Sequence, residues 1–117
     1  MPLLSYTVIE HDQQLVQLCT ELANESALAL DLEADSMHHY REKVCLLQLS
    51  NRSGNWLIDP LQVTDLTPLG VLLAKPGLLT VLHGGDYDIR SLHRDFGIVV
   101  QQMFDTMVAA QFTGATE

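Results

Sequence analysis

The run "ALALDLEADS", Ala27 to Ser36, constrains this chain more than any other stretch. Its apolar alternation fits a strand, in which successive side chains project to opposite faces, so Leu30 and Leu32 turn one way while Asp31 and Glu33 turn the other. A buried carboxylate without a partner is strongly disfavoured. Two of them on one face need a compensating charge or an exposed position. A divalent cation meets that need, because hard oxygen ligands hold Mg²⁺ or Mn²⁺ while waters or phosphate oxygens fill the remaining positions. The plainer reading is a turn-forming pair, since Asp-x-Glu occurs by chance in many proteins.

The chain has 117 residues, 47% apolar and 18% charged, which suits one packed domain over 1–117 and argues against disorder. There is no internal repeat, low-complexity tract or linker. No apolar run reaches the roughly 18 residues a membrane span needs, and "MPLLSYTVIE" lacks the basic start of a secretory leader. The expected address is cytoplasmic, with no membrane partner. Cys19 and Cys45 fall in apolar patterns without metal-ligand spacing and read as small core residues in a reducing compartment. A net charge of −9 with only six Lys and Arg excludes a protein that grips long nucleic acid through a basic face. A nucleic-acid ligand would have to be held through metal ions or through polypeptide outside these residues.

Periodicity gives the order β, α, β, β, β, α, β, α, β, α. "YTVIE" alternates, and "DQQLVQLCTELAN" spaces Leu15, Leu18, Cys19 and Leu22 by three and four, with Asp12 as N-cap. "ALALDLE" is the second strand, "ADSMHHYREK" a polar loop, and "VCLLQLS" a strand apolar enough to be covered on both faces. "NRSGN" turns that strand into "WLID", and Asp59 before Pro60 is a turn residue. "DLTPLGVLLAKPG" is a short helix capped by Asp65 or Thr67, and "LLTVLH" is another strand. "GGDYDIRSLHRDFG" then becomes helical, with Ile89, Leu92 and Phe96 on one face. "QMFDTMVAAQF" closes as a strand, an Asp105 or Thr106 cap and a helix, with Met103, Phe104 and Met107 as core. Hairpins first and crossovers later imply a mixed α/β sheet, antiparallel at its start and parallel at its end, with helices on its faces.

"VLHGGDYDIRSL" provides the context that Asp-x-Glu lacks. The strand ends at His83, Gly84 and Gly85 allow a sharp turn or a close backbone approach, and Asp86 and Asp88 open a helix. In open α/β sheets the working crevice lies outside the carboxyl ends of parallel strands. A carboxylate opening that helix, Asp86 or Asp88, can face the Asp31 and Glu33 pair on the neighbouring strand, although Asp86 also has the simpler role of an N-cap and Asp35 that of a loop residue. His83 and His93 read as locally bonded side chains, and His38 and His39 as a solvated loop near bound substrate.

With these residues in place the chain resembles the ribonuclease D-like, DEDDy branch of the 3′–5′ exonucleases, which have a ribonuclease H-like fold. The resemblance runs in order from Leu28 to Phe112 through "LALDLEADS", "VCLLQLSNRSGNWLIDPL", "VLHGGDYDIRSLHRDFG" and "MFDTMVAAQF". It implies that Asp31, Glu33 and Asp88 are catalytic and hold two Mg²⁺ or Mn²⁺ ions about 4 Å apart on the scissile phosphate. In that scheme Asp31 bridges the ions, Glu33 helps position the attacking water, and Asp88 holds the second ion through its shell. The implied substrate is the 3′ end of single-stranded nucleic acid, RNA by family analogy, cut to nucleoside 5′-monophosphates in RNA processing or decay.

One family motif is missing from these 117 residues. Four positions after Tyr6, Tyr40 and Tyr87 stand Glu10, Val44 and Ser91, so there is no Tyr-x-x-x-Asp. The chain therefore reads as a C-terminally incomplete exonuclease domain, nearly inactive alone and prone to self-association through uncovered apolar surface. Two other functions stay open: an aspartyl-phosphate-type phosphatase, although Glu33 stands where that class has a second Asp, and a catalytically degenerate exonuclease-like binding domain.

Overall fold

The computed structural model describes residues 5–35 and 42–112. His38 and His39 lie outside the described residues. Ten elements follow in the expected order: β1 (Thr7–Ile9), α1 (Asp12–Glu21), β2 (Ala27–Asp35), β3 (Lys43–Ser50), β4 (Asn55–Ile58), α2 (Thr67–Leu73), β5 (Leu79–Leu82), α3 (Asp86–Phe96), β6 (Met103–Asp105) and α4 (Thr106–Phe112). The strands form one sheet in the order β1-β4-β3-β2-β5-β6. β2, β3 and β4 pair antiparallel, whereas β5 joins β2 and β6 joins β5 in parallel. β1 adds a parallel edge beside β4.

The four helices among the described residues start for identifiable reasons. Gln14 Oε1 accepts hydrogen bonds from the Glu10 and His11 amides at 2.8 and 3.0 Å, satisfying donors that the start of α1 would otherwise leave free. In α2, Pro68 sits in the first turn, where its missing N–H costs nothing, and Asp65 accepts from the Thr67 amide at 2.9 Å. α3 begins directly after the glycine pair, and Asp105 caps α4 by accepting from the Met107 amide at 2.9 Å.

The core is one cluster on one side of the sheet. Leu28, Leu30 and Leu32 of β2 join Val44, Leu47 and Leu49 of β3, Ile58 of β4 and Leu82 of β5. Against them pack Leu15, Leu18 and Cys19 of α1, Leu69, Leu72 and Leu73 of α2, and Leu92 of α3. Each buried leucine contributes about 1.5–3 kcal/mol relative to an exposed one, which ties the helices firmly to this face.

Several expectations need correcting. β3 is not covered on both faces among the described residues: Val44, Leu47 and Leu49 are buried, while Leu46, Gln48 and Ser50 on the other side are half-buried. Met103, Phe104 and Met107 are not core but 45%, 47% and 36% exposed, because β6 is an edge strand and no described helix covers it. Cys45 is half-buried rather than enclosed. Asp12 does not cap α1. Its carboxylate accepts from the Thr64 amide and hydroxyl at 2.7 and 2.6 Å, fastening the loop before α2 to the start of α1 and holding the carboxyl below its usual range. β2 also runs on to Asp35, so that residue is a strand residue paired with Lys43.

Candidate active site

β2 outlasts its parallel neighbour. Its pairing with β5 ends at Ala29 opposite Val81, so Asp31 lies beyond the paired stretch at the carboxyl end of the parallel strands. On the other flank Asp31 stands opposite Gln48 and Glu33 opposite Leu46, on the face opposite the buried Leu28, Leu30 and Leu32. Both acidic residues are exposed, so the charges that begin this problem are not buried. One Asp31 oxygen accepts from the Leu32 amide at 2.9 Å. Just past Glu33 the register slips: Ala34 faces Val44, leaving Cys45 as an extra residue on β3. Such a bulge bends the strand and re-aims the neighbouring side chains, and the Cys45 thiol donates to the Glu33 carbonyl at 3.5 Å. Asp31, Leu32, Glu33, Leu46 and Gln48 together line a small depression.

The third carboxylate arrives through the junction between β5 and α3. Gly84 takes φ +64°, a conformation side chains resist, and a Cβ on Gly85 would come within 2.6 Å of Leu82 Cβ. Both glycines are thus required for the chain to leave β5 and enter α3 within three residues. Asp88 lies in the first turn of α3, half-buried, and its carboxyl is pushed up to about 6, first by desolvation and then by the charges of Asp31 and Asp105. That coupling brings Asp88 and Asp31, fifty-seven positions apart in the chain, into one electrostatic field. Asp86 is the first helical residue rather than the N-cap, and it pairs with Arg90 at 3.0 Å on the exposed side of α3.

Asp105 is the residue that sequence reasoning undervalued. One of its oxygens accepts from the Gly84 amide at 2.9 Å, the other from the Gly85 amide at 2.8 Å. The first oxygen also takes the Met107 amide, so one carboxylate serves the start of α4 and the glycine turn together. These amides hold its carboxyl below the usual range. Next to it the Thr106 hydroxyl donates to the Leu82 carbonyl at 3.2 Å and lies 2.7 Å from His83 Nδ1. The Asp-Thr pair signalled a helix cap, but nothing local signalled its reach to residues twenty positions earlier.

Among the described residues no three carboxylates, imidazoles or thiols are gathered tightly enough to enclose one ion. The donor set nevertheless fits Mg²⁺ or Mn²⁺. Mg²⁺ is usually held by one or two carboxylates plus waters and substrate phosphates rather than by an all-protein cage. The Asp88 carboxyl is raised first by burial and then by the charges of Asp31 and Asp105, and a cation would relieve both the desolvation and the repulsion.

A family model described as a 3′–5′ exonuclease matches residues 6–117. Exosome complex component 10 of Homo sapiens is 39% identical over 99 residues, covering 84% of this chain and 11% of that protein. Ribonuclease D of Escherichia coli is 34% identical over 111 residues, covering 95% of this chain and 30% of that protein. The catalytic core of RRP6 from Trypanosoma brucei superposes with a TM-score of 0.91 at 30% identity, over 97% of this chain and 32% of that one. Escherichia coli ribonuclease D, an exoribonuclease involved in structured RNA processing, superposes with a TM-score of 0.82 at 28% identity, over 97% of this chain and 35% of that one. The six-stranded mixed sheet is accordingly the ribonuclease H-like fold of these exonuclease domains.

Proposed function

Because the chain belongs to the 3′–5′ exonuclease family, with ribonuclease D and RRP6 proteins among its relatives, we propose that it is the carboxylate-bearing part of a metal-dependent exoribonuclease. The reaction is hydrolysis of the terminal phosphodiester at the 3′ end of single-stranded RNA, releasing nucleoside 5′-monophosphates. One observation carries this reading: Asp31 lies beyond the paired end of β5 and Asp88 lies in the first turn of the helix that leaves that same end of β5, its carboxyl raised by burial and then by the Asp31 charge.

Asp31, Glu33 and Asp88 would hold two Mg²⁺ or Mn²⁺ ions. Bound there, such ions lower the pKa of a coordinated water and neutralise charge on the scissile phosphate and leaving oxygen. Asp31, at the end of the strand beyond its pairing with β5, would contribute its carboxylate to holding the ions. Glu33, next to the bulge, would accept a hydrogen bond from the attacking water and help to orient it. Asp88 must be ionised to act as a ligand, so the raised carboxyl predicts weaker metal binding below about pH 6. The net charge of −9 suits an enzyme that meets a few terminal nucleotides through its ions rather than through a basic groove.

These 117 residues contain no Tyr-x-x-x-Asp, so on this reading they turn over RNA slowly alone. They also associate through the exposed apolar face carrying Val8 and Phe104. The chain spans only 11% of the human relative and 30% of the Escherichia coli one, so activity is tested in the longer protein that contains it. With Mn²⁺ present, that protein should shorten a 5′-labelled RNA from its 3′ end and release 5′-monophosphates. Asp31→Asn should lower the rate at least about a hundredfold. Metal-independent cleavage, or unchanged cleavage by the variant, would refute the proposal.

A further inference from the structure

The geometry points to Asp105 as a positioning residue for the acidic site: its carboxylate holds the Gly84–Gly85 turn from which α3 carries Asp88 toward Asp31. The inference rests on the metal-site reading above and concerns a residue that binds no metal.

The turn is one that only glycine makes without strain, and it has no side-chain support of its own. Gly84 sits at φ +64° and Leu82 leaves no room for a Cβ on Gly85, so neither residue can carry a side chain with which to brace the junction. At the comparable strand-to-helix junction, Gln14 of α1 reaches back to the amides of Glu10 and His11. α3 lacks such a device, and its N-cap is Gly85, which makes no side-chain cap bond. The bracing comes instead from β6, where the two Asp105 oxygens take the Gly84 and Gly85 amides at 2.9 and 2.8 Å. Asp88 is three residues beyond Gly85, less than one helical turn, so a tilt of the turn passes directly to its carboxylate. Because hydrogen bonds to a charged acceptor are the stronger kind, Asp105 fixes the direction in which α3 departs.

Asp105→Asn separates this role from simple capping. The oxygen that takes the Gly84 and Met107 amides can remain as the amide oxygen, preserving the start of α4. The oxygen that takes the Gly85 amide becomes an NH₂ group facing an N–H, so the turn is released on that side. Asp12→Asn is the control, since it loosens the Thr64 loop far from Asp88.

The test is Mn²⁺ binding to this chain by electron paramagnetic resonance, with melting temperatures measured in parallel. We expect Asp105→Asn to weaken Mn²⁺ binding about 10- to 100-fold, while Asp12→Asn lowers the melting temperature and leaves Mn²⁺ affinity at the wild-type value. If Asp105→Asn does not fold, Gly84→Ala decides, because it strains the same turn while leaving the Asp105 carboxylate in the chain; weaker Mn²⁺ binding supports the inference. Wild-type Mn²⁺ affinity in Asp105→Asn, or in Gly84→Ala where that variant decides, overturns it. Mn²⁺ binding lost in Asp31→Asn but kept in Asp105→Asn overturns only this inference; no binding to wild type overturns the metal-site reading with it.

Discussion

On one face of β2, Leu28, Leu30 and Leu32 are between 1% and 9% exposed and join the helix-backed core, while on the other face Asp31 and Glu33 stand open to solvent. The same nine residues serve both. Strand alternation assigns cohesion to one side and chemistry to the other, so substitutions on the two sides should fail in different ways. The helix face should lose stability with its ligand geometry intact until unfolding. The open face should lose ion binding with the fold intact.

The largest effect expected from breaking that division is on the helix face. Leu30→Ala removes a side chain only 4% exposed and should cost about 2–5 kcal/mol in denaturant unfolding. Mn²⁺ affinity measured well below the unfolding midpoint should stay at the wild-type value; a matching loss of affinity would mean that the two faces are not separable.

A smaller, pH-dependent effect sharpens the contrast. Asp88 holds its proton more tightly when folded than when unfolded, so without divalent ions its contribution is most favourable below about pH 4. Stability should then decline as pH rises through about 6, where the folded carboxyl ionises, and level off above. Asp88→Asn removes this dependence. The stability gained by that variant over wild type should therefore grow between about pH 4 and 6, as read from urea titrations across the range. A gap that stays flat or narrows would contradict the burial and charge ascribed to Asp88. The smallest effect belongs to an open-face position away from the acids: Val8→Thr, at a residue 47% exposed, should change stability by less than about 0.5 kcal/mol.

Much of this arrangement is legible in the sequence because it is local. The alternation of "ALALDLEAD" places Asp31 and Glu33 on one face, and the glycine pair before "DYDI" marks where a strand turns into a helix. What is not legible is whatever joins distant positions or depends on what covers a surface. Asp12 reads as a cap because it precedes a helical pattern, yet its oxygens go to Thr64, fifty-two residues on. Asp105 reads as a cap and is one, but its grip on Gly84 and Gly85 exists only once β6 lies beside β5. Phe104 is apolar like a core residue, and its exposure follows from its place on an edge strand. The bulge at Cys45 leaves no mark in composition, since only the pairing of β2 with β3 makes one residue surplus.

The convergence of Asp88 with Asp31 is tested most directly by following the Asp88 side-chain carboxyl carbon by nuclear magnetic resonance as pH is varied without metal. The account predicts a midpoint of about 6 in the wild-type chain. In Asp31→Asn the midpoint should fall part of the way toward the ordinary aspartate range, because desolvation remains when the neighbouring charge is gone. A wild-type midpoint in the ordinary range, or one indifferent to Asp31→Asn, would contradict it.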